Sequence, residues 1–232
     1  MSNSLGSWAR AALLPGAEAT RLNSLRRSDT LFSQGQNADA VYLLEDGLVK
    51  LTRSGSSGGR IILSICGAGY LIGEDAFSDE SAIYYSDAEI ISSAAVAYRF
   101  SKEALRRLWI SNPEIVGAFM SYVVGRKTDL AQKVELLCLH DVEYRILHYL
   151  AQLSHLVKPL EEGVGYQLPI TQLELADLVG ATRETTSTTL NQLERRGLVK
   201  LSRRLLTISS PAVLLKAASS KTVAAEGMRA EA

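Results

Sequence analysis

The stretch PITQLELADLVGATRETTSTTLNQLERRGLV, residues 169–199, decides how the rest of the chain is read. Leu175, Ala176 and Leu178 share one face of a first helix, Gly180 permits a tight turn, and Thr182 is a natural N-cap. The second helix that follows has its inward positions at Thr186, Leu190 and Leu193. Ala176 suits the close crossing of such a pair, because a larger side chain there would force the helices apart. The grammar is that of a helix-turn-helix, whose second helix places its first turns in the major groove of DNA. Arg183, Glu184, Ser187 and Thr188 then face outward. A guanidinium fork matches guanine O6 and N7, a carboxylate accepts from cytosine N4, and a hydroxyl serves either kind of edge. Thr171, Gln172 and Thr182 are expected to touch phosphate, helped by the free amides of helix N-termini.

Residues 199–208 continue as strand, turn and strand, and put Lys200, Arg203 and Arg204 on an expected basic wing. That local charge matters because the whole chain has none to offer. Its 232 residues carry 25 Lys plus Arg against 25 Asp plus Glu, so no global field draws it to nucleic acid or membrane. The hydrophobic share of 47% supports real cores and excludes wholesale disorder. Cys66 and Cys138 form no CxxC and have no histidine at ligand spacing, so neither a metal nor a disulfide framework is expected. A reducing, cytoplasmic setting is the default. The apolar run 8–14 is interrupted by Arg10 and is far too short to span a bilayer.

Upstream of the helix-turn-helix, residues 113–140 keep apolar residues at spacings of three and four, which predicts one amphipathic helix of about 42 Å. Its stripe asks for a partner, and a second copy of the same helix is the economical one. Met120, Val123, Val124, Lys127, Leu130, Val134 and Leu137 are the expected interface. Lys127 is the odd member, to be solvated, paired or part of a switch. Asp141 caps a further helix through Leu153, and 154–168 reads as a loop. Between Thr30 and Phe100, short apolar runs separated by glycine and serine predict an antiparallel roll, with 54–59 as a hairpin connection. The expected division is 1–111 sensor domain, 112–140 dimerisation helix, 141–215 DNA-binding domain and 216–232 flexible tail.

On four stretches the chain resembles the superfamily of bacterial transcription factors comprising the cAMP receptor protein and the fumarate and nitrate reduction regulator (CRP/FNR). They are FSQG at 32–35, VYLLEDG at 41–47, GYLIGE at 69–74 and residues 175–198 with ATRET at their core. The resemblance implies an α+β fold: an N-terminal β-roll of the cyclic-nucleotide-binding jelly-roll type, a long dimerisation helix and a C-terminal winged helix-turn-helix. It also implies a homodimer on an imperfect palindrome of double-stranded DNA, with RNA polymerase as a further partner and no membrane.

Departures from the family pattern bear on the ligand. Cyclic-nucleotide-binding members follow Gly-Glu, about ten residues later, by an arginine that pairs with the cyclic phosphate. Here Gly73 and Glu74 are kept, but the second site reads Tyr84, Tyr85, Ser86, Asp87, and the helix pair that reads adenine is replaced by Leu130 and Ala131. A phosphate would lose its charge-assisted hydrogen bond and meet a like charge. Classical cAMP control is therefore not expected. No N-terminal cysteine cluster for iron–sulfur and no sensor-domain histidine for haem is present. Arg126 aligns with the helix arginine that binds 2-oxoglutarate in nitrogen-control members, although Ile83 replaces their second arginine. The expected effector pocket comprises Gly73, Glu74, Tyr84, Tyr85, Ser86, Arg126 and Leu130, for an unknown small molecule or none; an ion pair of Arg126 with Asp129 or Glu135 is the other reading of that arginine. No nucleophile–base pair or phosphate-binding glycine loop suggests an enzyme. A ligand-binding module whose helix-turn-helix serves protein contacts stays open.

Overall fold

Short apolar runs, several of them alternating with polar residues, underlie most of the strands described before residue 102: β1 (Ala19–Arg26), β2 (Thr30–Phe32), β3 (Ala40–Asp46), β4 (Val49–Ser54), β5 (Arg60–Cys66), β6 (Leu71–Ile72), β7 (Asp87–Ile90) and β8 (Ala94–Ser101). In this computed structural model, which describes residues 9–160 and 165–219, they form two antiparallel four-stranded sheets, ordered β1-β8-β3-β6 and β2-β7-β4-β5. Ala40 to Leu44 on β3 are all buried, the mark of a strand covered on both faces. The expected hairpin closes through Gly55 and Gly59, whose backbones bond at 2.8 Å between β4 and β5. Strand β1 has no apolar alternation to announce it. It is a mostly exposed edge strand, with Arg21 paired to Glu45 at 2.9 Å.

Helix α1 (Lys102–Ser111) starts at Ser101, whose hydroxyl accepts from the Ala104 N–H at 3.1 Å. Helix α2 (Glu114–Leu139) follows Pro113, which supplies a helical φ where no N–H is needed. Ile115, Phe119 and Tyr122 of α2 are buried in the β-roll core, beside a cluster of Phe77, Trp109 and Phe119 with ring centroids 4.2 to 5.5 Å apart. The chain divides into two compact units, Met1–Gln132 and Lys133–Ala232, so the boundary falls inside α2.

The second unit begins with the end of α2 and adds α3 (Val142–Ser154), β9 (Tyr166–Leu168), α4 (Gln172–Val179), α5 (Arg183–Arg195), β10 (Val199–Ser202) and β11 (Leu205–Ile208). Asp141 caps α3 by accepting from Tyr144 N–H at 2.8 Å. Strand β9 lies within the expected loop 154–168, because Tyr166, Gln167 and Leu168 pair with β11 in a three-stranded sheet ordered β10-β11-β9. Ile146, Leu150, Leu175, Leu178, Leu190, Leu193 and Leu206 are buried in this unit. Residues 211–219 are helical; the rest of the expected tail lies outside the described residues. Among the described residues no helix is long and apolar enough to cross a membrane.

Candidate functional site

Helices α4 and α5 are each started by a threonine side chain and closed by backbone N–H groups. Thr171 and Glu174 form a capping box: the Thr171 hydroxyl accepts from Glu174 N–H at 3.1 Å, and Glu174 Oε2 accepts from Thr171 N–H at 2.8 Å. The Thr171 hydroxyl also donates to that carboxylate at 2.8 Å. This differs from the expected phosphate role of Thr171, since its polar groups are already committed to starting the helix. Gln172 stays half-exposed beside it. Thr182 caps α5 by accepting from Thr185 N–H at 3.1 Å, and remains exposed.

Gly180 joins the two helices with φ +64°, a left-handed conformation that glycine adopts without strain. A Cβ there would stand 2.8 Å from Leu137 Cδ2. Gly180→Ala is therefore expected to cost this unit about 1–2 kcal/mol of unfolding free energy in a denaturant titration. An unchanged midpoint would show that the turn relaxes without penalty.

Thr186, Leu190 and Leu193 are buried on the inner face of α5, as the spacing implies. On the outer face Arg183, Glu184 and Thr188 are exposed and Ser187 is half-exposed. Among the described residues neither Arg183 nor Glu184 is held by a hydrogen bond or ion pair. Lys200, Arg203 and Arg204 are exposed on β10 and the turn to β11. Arg204 has φ +64°, a conformation costing a non-glycine residue about 1 kcal/mol. Glu194 Oε1 accepts the Leu201 N–H at 2.7 Å, which ties α5 to β10.

On α2 the expected interface residues separate into two groups. Met120, Val124, Leu130 and Val134 are each more than half exposed, and Lys127 is exposed with them. Val123 and Leu137 do not join that face: Val123 packs against the β-roll core and Leu137 against Gly180. The helix turns by 3.6 residues, so neighbours of the seam fall toward their own domain.

Within the β-roll unit, Arg126 is the centre of a polar cluster. Its guanidinium donates to Ser64 Oγ at 2.9 Å, lies 3.8 Å from both Glu74 Oε1 and Asp129 Oδ2, and stands over the Tyr70 ring. Its Nε is buried without a hydrogen-bond partner among the described residues. Gly73, at φ +87°, turns the chain into the short helical turn that carries Glu74. Burial pushes the Glu74 carboxyl and the Cys66 thiol up, with Arg126 opposing both. The Tyr122 hydroxyl bonds both the N–H and the carbonyl of Leu71 and so holds α2 against this corner. The cluster can offer a guanidinium and a hydroxyl to an anion, and a carboxyl to a ligand hydroxyl.

The other expected pocket residues make different contacts, although Tyr84 borders Gly73. Tyr84 stacks on Phe32 at 3.9 Å and its hydroxyl donates to the Ala40 carbonyl at 2.7 Å, so it belongs to the core. Tyr85 faces out beneath the Arg53 guanidinium, 4.1 Å from the ring centroid, and donates its N–H to Asp75 Oδ2 at 3.2 Å. Ser86 is buried and Leu130 is exposed. Exposure alternates from Ile83 to Ser86, as extended backbone requires. Ser64, Cys66 and Tyr70 were not anticipated; a lone serine inside the apolar run of β5 was the available sign.

Two family patterns match the chain: the cyclic nucleotide-binding domain over residues 22–112 and the Crp-like helix-turn-helix domain over 144–217. The chain is similar to the CRP-like cAMP-activated global transcriptional regulator of Mycobacterium tuberculosis, with 28% identity over 211 residues, 87% of this chain and 93% of that protein. It is also similar to the cAMP-activated global transcriptional regulator CRP of Haemophilus influenzae, at 27% identity over 77% of this chain and 79% of that one. A solved transcriptional regulator of the CRP family from Thermus thermophilus shares the fold with TM-score 0.72 and 24% identity, over 86% of this chain and 96% of that one.

Proposed function

The chain belongs to the CRP/FNR family of transcription factors, and from that membership we propose that it is a homodimer reading an imperfect DNA palindrome, controlled otherwise than by classical cAMP binding. The observation that carries the DNA reading is the pair Arg183 and Glu184, exposed and unengaged among the described residues on the first turn of α5. Arg183 meets guanine, Glu184 meets cytosine, and Ser187 and Thr188 follow along the groove. Gln172, Thr182, Arg203 and Arg204 supply phosphate contacts.

The dimer reading is supported by α2. Met120, Val124, Lys127, Ala131, Val134 and Cys138 follow one another at alternating steps of four and three, and every one is exposed. That 3.5-residue repeat is the seam of a coiled coil. Two recognition helices related by its two-fold axis would enter successive major grooves about 34 Å apart. RNA polymerase is the expected further partner in the cytoplasm.

Regulation by a ligand other than cAMP, or by none, is favoured by the segment where the family places its phosphate-pairing arginine. Tyr84 is buried there, and the N–H of Tyr85 already serves the Asp75 carboxylate. A cyclic phosphate entering would compete with a carboxylate and be repelled by it. A small anion such as 2-oxoglutarate would instead meet Arg126 and Ser64.

Fluorescence anisotropy of the purified protein on a TGTGA-type palindrome and on a scrambled duplex tests this reading. Specific affinity is expected to fall with salt at a log–log slope steeper than about −4. Added cAMP is expected to change it less than about twofold. Absence of DNA binding even at low salt would assign the helix-turn-helix to protein contacts, and a large gain with cAMP would refute the regulatory half.

A further inference from the structure

Near the end of α2 one lysine is buried without a carboxylate partner among the described residues. Lys133 is 5% exposed, and neither of its hydrogen-bond partners is a carboxylate: Nζ donates to the Leu178 carbonyl at 2.7 Å and reaches the Tyr149 hydroxyl at 3.5 Å. The ammonium also stands 5.0 Å from the centroid of the Tyr149 ring. Arg145 on α3 is a charged neighbour of the same sign. Burial, with Arg145 adding to it, pulls the ammonium down to about 8. A methionine of similar length would fill the space at less cost, so stability does not account for the lysine.

The Leu178 carbonyl does. In a longer helix it would accept from the N–H four residues on, but the left-handed Gly180 ends α4 first. The Gly180 and Ala181 N–H groups both return to the Ala176 carbonyl, so the turn leaves Leu178 to the side chain of Lys133. A cation at a helix C-terminus also meets the negative end of the helix dipole. One turn further along α2, Leu137 packs against Gly180, and Leu136 is buried between them in sequence. The last turns of α2 therefore hold the end of α4 at the residues that launch α5.

We propose that Lys133 is a positioning residue that clamps the C-terminal end of α4 to α2, so that α2 sets the direction in which α5 presents Arg183 and Glu184. The functional half of this inference rests on the DNA-binding reading above; the structural half does not.

The full-length Lys133→Met protein provides the test, by thermal unfolding, amide hydrogen exchange and DNA titration. Its melting midpoint is expected to stay or rise, while exchange at residues 176–182 speeds up at least about tenfold and specific DNA affinity falls about tenfold. Non-specific affinity is expected to stay the same. Tyr149→Phe removes only the longer contact and is expected to match the unaltered protein. Unchanged exchange in Lys133→Met would overturn the clamp, and so would a lowered midpoint, which would make the lysine an ordinary part of the core. Equal effects in Tyr149→Phe would overturn it too, by moving the anchor from the carbonyl to the hydroxyl. If the unaltered protein binds no DNA, the proposed function fails while hydrogen exchange still decides the clamp.

Discussion

Arg183→Ala is expected to lower affinity for the selected operator by between about 30-fold and 10⁴-fold, because a dimer loses two guanidinium forks worth about 1–3 kcal/mol each. The loss should be specific. One base position in each half-site becomes indifferent in a binding-site selection, while affinity for random duplex declines only slightly, since a single charge per subunit is removed from the phosphate-facing field. The neighbouring position, read by an arginine in the cAMP receptor protein branch and occupied here by Thr188, should already be relaxed in the unaltered protein. A selected sequence that is identical with and without Arg183 would show that this exposed side chain reads nothing.

Val134→Asp is expected to separate the subunits and reduce operator affinity at least about 100-fold, because two carboxylates would be buried face to face in the seam and each monomer could hold only a half-site. Val134 is more than half exposed in the single chain, so the substitution leaves its own domain little affected. Cys138, the exposed thiol of the two, provides a second readout four residues on along the same seam. Mild oxidation should yield a covalent dimer of the unaltered protein and none of Val134→Asp or Cys138→Ser, whereas buried Cys66 stays inert. A Val134→Asp protein that still sediments as a dimer would move the interface off this face of α2.

What could be read in advance from residue order was local. The cap at Thr182, the glycine turn and the inward Thr186, Leu190 and Leu193 depend on spacings of a few residues, and all of them stand in the structure. The long helix and most β-roll strands followed from periodicity in the same way. Strand β1 was not legible, because an edge strand with polar residues on both faces carries no alternation. The expectation of a pocket at Tyr84 and Tyr85 rests on resemblance to a family motif. The inward turn of Tyr84 onto Phe32 depends on a long-range stack that no local pattern encodes. Lys133 was invisible for the same reason: in sequence it is one more cation on a helix, and only the approach of Leu178, 45 residues away, gives it a partner.

The bond between Glu194 and the amide of Leu201 has an engineering corollary. A chimera that borrows only the recognition helix from another regulator, and so brings a residue other than glutamate to position 194, strands the Leu201 N–H at the junction. Redesign of target preference in this scaffold is therefore best done by exchanging the whole cassette from Thr182 to Ile208.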